Sequence, residues 1–272
     1  NKAWKVLELA SSQHPHSSEF ELKRADILAL KGEYKKAMKS INLVESIAPN
    51  NPDMLITKGS IFSKIGKHKQ AIEIFNRAIE SVEVKSDIRL LLAYEYQALG
   101  NQKEALSQLK MGLMDSPKDQ GLIYEISFLY DMLGETEAAI EFFNKYLDDN
   151  PYEYNAWYNL ATFYIKKKDF EQAIWALGLC LAVTENHLMA HQEIGDCYLE
   201  VENWDKAEEH FNEVLKLDED NVDALVGIAE CSEGREDYEL AFERYKSITE
   251  ADAFHAEAWY GMAVIREKQE KY

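Results

Sequence analysis

The sequence predicts an all-α fold: a right-handed α-α superhelix, or solenoid, of antiparallel helix pairs with a 34-residue period. Two apolar-periodic runs make the first observation. Trp157, Leu160, Ala161 and Tyr164 form one, and Ala173, Ala176, Leu177 and Cys180 form the other. Each steps by three and four residues, which places it on one stripe of a helix. The polar break Lys166-Lys167-Lys168-Asp169 between them is short enough to turn the two helices into an antiparallel hairpin. The second observation is register. Stepping by 34 from Ala173 reaches Ala3, Ala37, Ala71, Ala105, Ala139, Ala207 and Ala241, with no insertion or deletion. The third is a matched pair of columns. One stays small (Ala25, Gly59, Ala93, Ser127, Ala161, Gly195, Ala229, Ala263), and the other stays large (Leu7, Ile41, Phe75, Leu109, Phe143, Leu177, Phe211, Tyr245). A column that never exceeds serine marks a close approach of two backbones, and the large column fills the space left over.

The 272 residues are eight times 34, so the expectation is one continuous array rather than the roughly two domains that length alone would suggest. Residues 1–17, with Ala3, Leu7, Ala10 and Pro15 in register, read as the second helix of an incomplete unit. Whole units follow at 18–51, 52–85, 86–119, 120–153, 154–187, 188–221 and 222–255. In the first four, Gly32, Gly66, Gly100 and Gly134 stand at the hairpin break, where a residue tolerating positive φ ends a helix well. In the later ones Lys168, Glu202 and Glu236 hold that place. Pro49, Pro52, Pro117 and Pro151 fall between units, where they stop one helix and can open the next. Residues 256–272 read as a lone first helix bearing Trp259, Met262, Ala263 and Ile265. Both ends fall inside a unit and no initiator methionine is present, so a longer parent protein is expected. Its continuation would cover the stacking face of the last helix, and self-association through that C-terminal face is the other way to cover it.

The motif W-x2-L-[GA]-x2-Y in the first helix, as in Trp157, Leu160, Ala161 and Tyr164, resembles the tetratricopeptide repeat family. So do A-x3-[FLIY] in the second helix and a closing proline, as in Ala139, Phe143 and Pro151. The resemblance covers the whole chain and implies the repeat fold, with the first helices lining the concave face. It says little about the partner, because such arrays host many unrelated ones. Family members that grip acidic chaperone tails carry a clamp of Lys, Asn, Asn, Lys and Arg. Here only Asn159 matches, while Tyr124, Phe128, Met189 and Glu193 occupy other slots, so that mode is not expected. A ladder of groove asparagines, found where such arrays serve sugar-transferring enzymes, is missing as well.

Residues 1–100 carry 15 basic and 12 acidic side chains, and residues 101–272 carry 15 and 37. Such an acidic distribution disfavours nucleic acid, since phosphate contact needs a basic face. It favours a basic or amphipathic partner steered to the second half. Lys35, Lys36, Lys39, Lys64, Lys67 and Lys69 are the local exception and read as surface lysines. No stretch is long and apolar enough to enter a membrane, and no targeting peptide is visible. Cys180, Cys197 and Cys231 have apolar company and read as buried thiols, which fits a reducing, cytoplasmic compartment.

No phosphate loop, nucleophile elbow or Cys-x-x-Cys pair is present, and His187 with His191 lacks the glutamate of a zinc-binding helix. Catalysis, cofactor and metal are therefore not expected. The informative positions flank the buried stripe of the first helices. In the central units they are Leu90, Leu91, Tyr94, Tyr124, Phe128, Met132, Tyr158, Asn159 and Thr162; further on comes an acidic rim of Glu193, Asp196, Glu200 and Glu230. An aromatic cluster rimmed by charge is the composition of a binding patch. The expectation is a protein-interaction scaffold holding a peptide or helix there. The alternatives are a substrate-recruiting arm of a larger enzyme and a self-associating structural module.

Overall fold

A computed structural model of the chain describes Val6, Leu9 and residues 17–83 and 85–270. The reading of residues 1–17 as a second helix rests on Ala3, Leu7, Ala10 and Pro15, which lie outside the described residues. All described secondary structure is helical. The fold is an all-α helical repeat with the 34-residue period, and it divides between Leu133 and Gly134 into two compact units.

The first unit holds α1 (Ser18–Leu30), α2 (Tyr34–Ile47), α3 (Pro52–Lys64), α4 (His68–Ile79), α5 (Ser86–Ala98), α6 (Gln102–Asp115) and α7 (Gln120–Leu133). Within it α1 pairs with α2, α3 with α4 and α5 with α6, and each pair packs on the next. The second unit holds α8 (Thr136–Asp149), α9 (Tyr154–Lys166), α10 (Phe170–Val183), α11 (Leu188–Glu200), α12 (Trp204–Leu217), α13 (Val222–Gly234), α14 (Tyr238–Ala251) and α15 (Ala256–Glu270). There α9 pairs with α10, α11 with α12 and α13 with α14, with α8 on one side and α15 on the other.

The columns explain the packing. Ala37, Ala71, Ala105, Ala139, Ala173, Ala207 and Ala241 are all fully buried, as are the knobs Ile41, Phe75, Leu109, Phe143, Leu177 and Phe211. The fit between the columns is tight. A Cβ added at Gly59 would sit 2.5 Å from the Phe75 ring, and one at Gly195 or Gly227 would sit 2.5 Å from the Phe211 ring. Glycine is thus required against Phe75 and Phe211, whereas Phe143 shares its repeat with Ser127. Ala263 is the one described member of the small column that is exposed, while Ile265 of the same helix is buried.

Hairpin breaks share one backbone conformation. Gly32, Gly66, Gly100 and Gly134 have φ between 66 and 78°, and Lys168, Glu202 and Glu236 adopt φ of 55 to 62° at the same place. Helix starts are closed by side chains: Asn51 accepts from Met54 N–H at 2.8 Å, and Asn221 accepts from Ala224 N–H at 3.1 Å. Pro52 opens α3, where its missing N–H costs nothing.

Candidate functional site

In the first unit the packing columns face inward, so the remaining positions of α5 and α7 meet solvent. Tyr94 is 42% exposed, Tyr124 64%, Phe128 45% and Met132 55%. Leu90 and Leu91 are half-buried, and Leu91 packs against the unit's apolar core. The Tyr94 hydroxyl donates to Glu125 Oε1 at 3.0 Å, which ties α5 to α7. Glu125 follows Tyr124 and precedes Phe128 by three residues, so this bond brings Tyr94 to the same patch. Burial, then that bond, pushes the Tyr94 phenol above its ordinary value. The result is an apolar, aromatic surface with one carboxylate set into it.

The second unit carries the other predicted residues in different surroundings. Tyr158 is half-buried, with its ring stacked on His187 at 5.2 Å between centroids. Its hydroxyl donates to Glu193, and burial above all pushes it up to about 12. His187 in turn caps α11, its Nδ1 accepting from Ala190 N–H at 3.1 Å. Tyr158 therefore joins α9 to α11 as well as facing outward. The Thr162 hydroxyl donates to the Asn159 carbonyl at 2.8 Å, and both residues are half-buried.

Past them opens a hollow of about 700 Å³, lined by Glu193, Asp196 and Glu200 of α11 and by Glu230 and Glu233 of α13. Ile165, Leu199 and Trp204 supply apolar wall, and Lys268 of α15 pairs with Glu233 at 2.7 Å. The acidic rim predicted from sequence is thus gathered around one concavity. Trp204 and Lys268 were not among the expected residues. Lys268 is 35 residues from Glu233, one step off the repeat, and that spacing was the available signal.

Crowding carboxylates into such a space is unfavourable when all are charged. Asp196 reaches solvent, but the walls displace much of the water around it. That desolvation, followed by the nearby Glu193 charge, pushes its carboxyl up to about 7. Burial raises Glu193 and Glu230 too. A cation entering the hollow would offset this penalty.

Elsewhere the polar groups are engaged structurally. Glu208 accepts from Arg235 at 2.6 Å and from Arg244 at 2.7 Å, and Arg244 also donates to the Ile228 carbonyl at 2.8 Å. His191 lies 3.1 Å from His210. Burial lifts the thiols, Cys180 to about 11 and Cys197 and Cys231 to about 12, so they stay protonated and unreactive at neutral pH. Among the described residues no group of three or more His, Cys, Asp or Glu side chains is placed to hold a metal ion. No described helix is long and apolar enough to cross a membrane.

Helix pairs stacked on a shared core, with unclaimed first-helix positions left facing solvent, define a helical-repeat protein. The comparisons narrow the class: partial matches to family models and solved repeat structures support a helical repeat of the tetratricopeptide type. The family model described as tetratricopeptide repeat matches residues 52–81. The model for anaphase-promoting complex, cyclosome, subunit 3 matches 132–214, and that for the middle TPR-like domain of cilia and flagella-associated protein 70 matches 180–271. No curated protein sequence matches. Among solved structures, the chain is similar to the C-terminal part of a TPR repeat-containing protein from Cytophaga hutchinsonii. The TM-score is 0.68 at 15% identity, covering 89% of this chain and 99% of that one. It is similar to PilW, a type IV pilus biogenesis factor, at TM-score 0.55 and 18% identity, covering 77% and 97%. It is also similar to a chain of Naa15/Naa10 bound to HypK-THB, at TM-score 0.55 and 16% identity, covering 91% and 39%. At these identities the likeness is one of fold.

Proposed function

We propose that the chain is a non-catalytic protein-interaction scaffold that captures partner segments on its first helices. On the first unit the receptor is Leu90, Leu91, Tyr94, Tyr124, Phe128 and Met132, which takes apolar and aromatic anchors. On the second unit it is the acidic hollow of Glu193, Asp196, Glu200 and Glu230 beside Tyr158, Asn159 and Thr162, which takes Lys or Arg side chains. Peptides or helices of a partner protein with apolar anchors suit the first surface, and those with basic residues suit the second. Partner capture is in keeping with the repeat fold and with the similar solved structure of Naa15/Naa10 bound to HypK-THB.

One observation carries the reading. Four large apolar side chains of α5 and α7 stand between 42% and 64% exposed, side by side at positions that helix packing leaves free. A cluster of that kind costs solubility unless something covers it. Buried aromatic anchors supply most of the affinity at interfaces of this sort, and rim charges set orientation and association rate.

The test is selection of peptides from a random displayed library on the wild-type chain. Enriched peptides are expected to carry aromatic or aliphatic anchors, Lys or Arg, or both. Tyr124→Ala with Phe128→Ala should weaken binding of those with apolar anchors by about tenfold or more, at about 1.4 kcal/mol per decade. Helicity by circular dichroism should be unchanged. Undiminished binding by the double variant would reject the first-unit surface.

A further inference from the structure

One helix breaks the charge pattern of the others. The second helices of the second unit are heavily charged on their solvent sides. At one shared place in the repeat they carry Glu141 (α8), Glu209 (α12) and Glu243 (α14), and α10 carries Trp175. One turn on, Asn144, Asn212 and Lys246 correspond to Gly178. A further turn on, Asp148, Lys216 and Glu250 correspond to Ala182. Trp175, Gly178, Ala182 and Val183 are all exposed, with Trp175 at 49%, and Leu179 between them is half-exposed. Glu171 is the only charged residue in all of α10. The core does not require this. Ala173, Ala176, Leu177 and Cys180 already form the buried stripe, and the exposed set lies on another side of the helix.

The relief of this face is specific. Trp175 stands at one end, held edge-on against Trp157 at 5.3 Å, and the Trp157 indole N–H donates to the Pro151 carbonyl at 2.8 Å. Beyond it Gly178 and Ala182, one turn apart, leave a shallow trough. Nothing lies within 4 Å of where a Gly178 side chain would begin. The small Gly178 and Ala182 lie beside the ridge of Trp175, Leu179 and Val183, spaced four residues apart, which is the relief a side-chain ridge of another helix packs against. Small residues there let that helix approach closely.

Charge decides which helix. Of the matching positions one repeat away on each side, Glu141 and Asp148 in α8 and Glu209 in α12 are exposed and acidic, Asn144 and Asn212 are neutral, and Lys216 in α12 is basic, so the flanks carry net negative charge. The whole chain carries a formal charge of −19. A second copy would set acidic flanks against acidic flanks, and an anionic bilayer surface would be repelled in the same way. We infer that the exposed face of α10 is a second docking surface, for an amphipathic helix of another protein whose apolar stripe is flanked by Lys or Arg. It is separate from the first-helix surfaces and depends on none of their residues.

The probe is a helical peptide with a Leu/Ile stripe flanked by lysines, and a counterpart flanked by glutamates. Both are titrated with the full chain and read by anisotropy of a label on the peptide. The lysine-flanked peptide is expected to bind saturably and about tenfold or more tightly than the other. Trp175→Glu with Ala182→Glu installs charge at positions where the other repeats of the second unit carry exposed charged residues, so folding should be unchanged while binding falls by about tenfold or more. Gly178→Leu fills the trough without removing any contact and should weaken binding with no loss of thermal stability. Tyr124→Ala with Phe128→Ala should leave this binding as it is. The inference is overturned if no saturable binding occurs, if the two peptides bind alike, or if the α10 variants bind like wild type. It is also overturned if sedimentation shows a wild-type dimer, or anionic vesicles bind, and Trp175→Glu with Ala182→Glu abolishes it.

Discussion

At the residue scale, the knobs Phe75 and Phe211 are matched to the glycines they face. Phe211 meets Gly195 and Gly227, and Phe75 meets Gly59, at distances no Cβ tolerates. Two repeats with smaller knobs use alanine, Ala93 with Leu109 and Ala161 with Leu177, all fully buried; Ser127 with Phe143 and Ala229 with Tyr245 depart from this pattern. Adding a methyl at Gly195 should therefore overpack the core and cost roughly 1–3 kcal/mol. Phe211→Leu relieves the clash, so the two changes together should cost less than the sum of each alone, by roughly 1 kcal/mol of coupling. Urea titrations of the four proteins check this, and strict additivity would contradict the matching. Both columns were legible in the sequence as a small one and a large one. Their residue-by-residue pairing was equally present but shows its force only when the interatomic distance is known. The hairpin position behaves differently. Four glycines announced a positive φ, but Lys168, Glu202 and Glu236 adopt it too, which costs roughly 1–2 kcal/mol each in L-residues. Register, not residue type, revealed those three.

At the element scale, α11 shows why candidate positions on a helix are easier to find than their chemistry. Tyr158, Glu193 and Asp196 were legible as positions outside the buried stripe. The His187 ring under Tyr158 and the Lys268 pairing across the hollow were not, because both depend on which helices become neighbours in space. The same neighbours shift Asp196. An ordinary aspartate titrates near 3.9, and in the hollow it titrates at about 7, so between these values the folded chain holds a proton that the unfolded chain releases. The Asp196 contribution to stability is therefore greatest on the acid side, falls as pH rises through that window, and is lowest above pH 7. Asp196→Asn removes the dependence. Its thermal midpoint relative to wild type should be higher at pH 8 than at pH 5, and an equal difference at the two pH values would contradict the assignment. For a basic peptide in the hollow the sign reverses, since binding needs the carboxylate ionised and should weaken on going from pH 8 to pH 6.

At the scale of the whole molecule, the period of 34 was the strongest feature of the sequence, because short helix pairs share a core only when each repeats the same inward face. Function is harder to read at this scale, since the positions that bind are those the repeat leaves free to vary. Two exceptions stand out against the pattern: apolar residues on the first helices α5 and α7, and the nearly uncharged second helix α10. The second is not legible in the sequence, because whether Gly178, Leu179 and Ala182 are buried or exposed depends on which helices become neighbours. The central claim, capture of partner segments by the first helices, is tested most directly by amide hydrogen exchange of the chain with and without a library-selected peptide. Slowed exchange is expected in α5 and α7, and in α11 and α13 for peptides rich in Lys or Arg. Protection confined to the second helices, or none in any first helix, would contradict it.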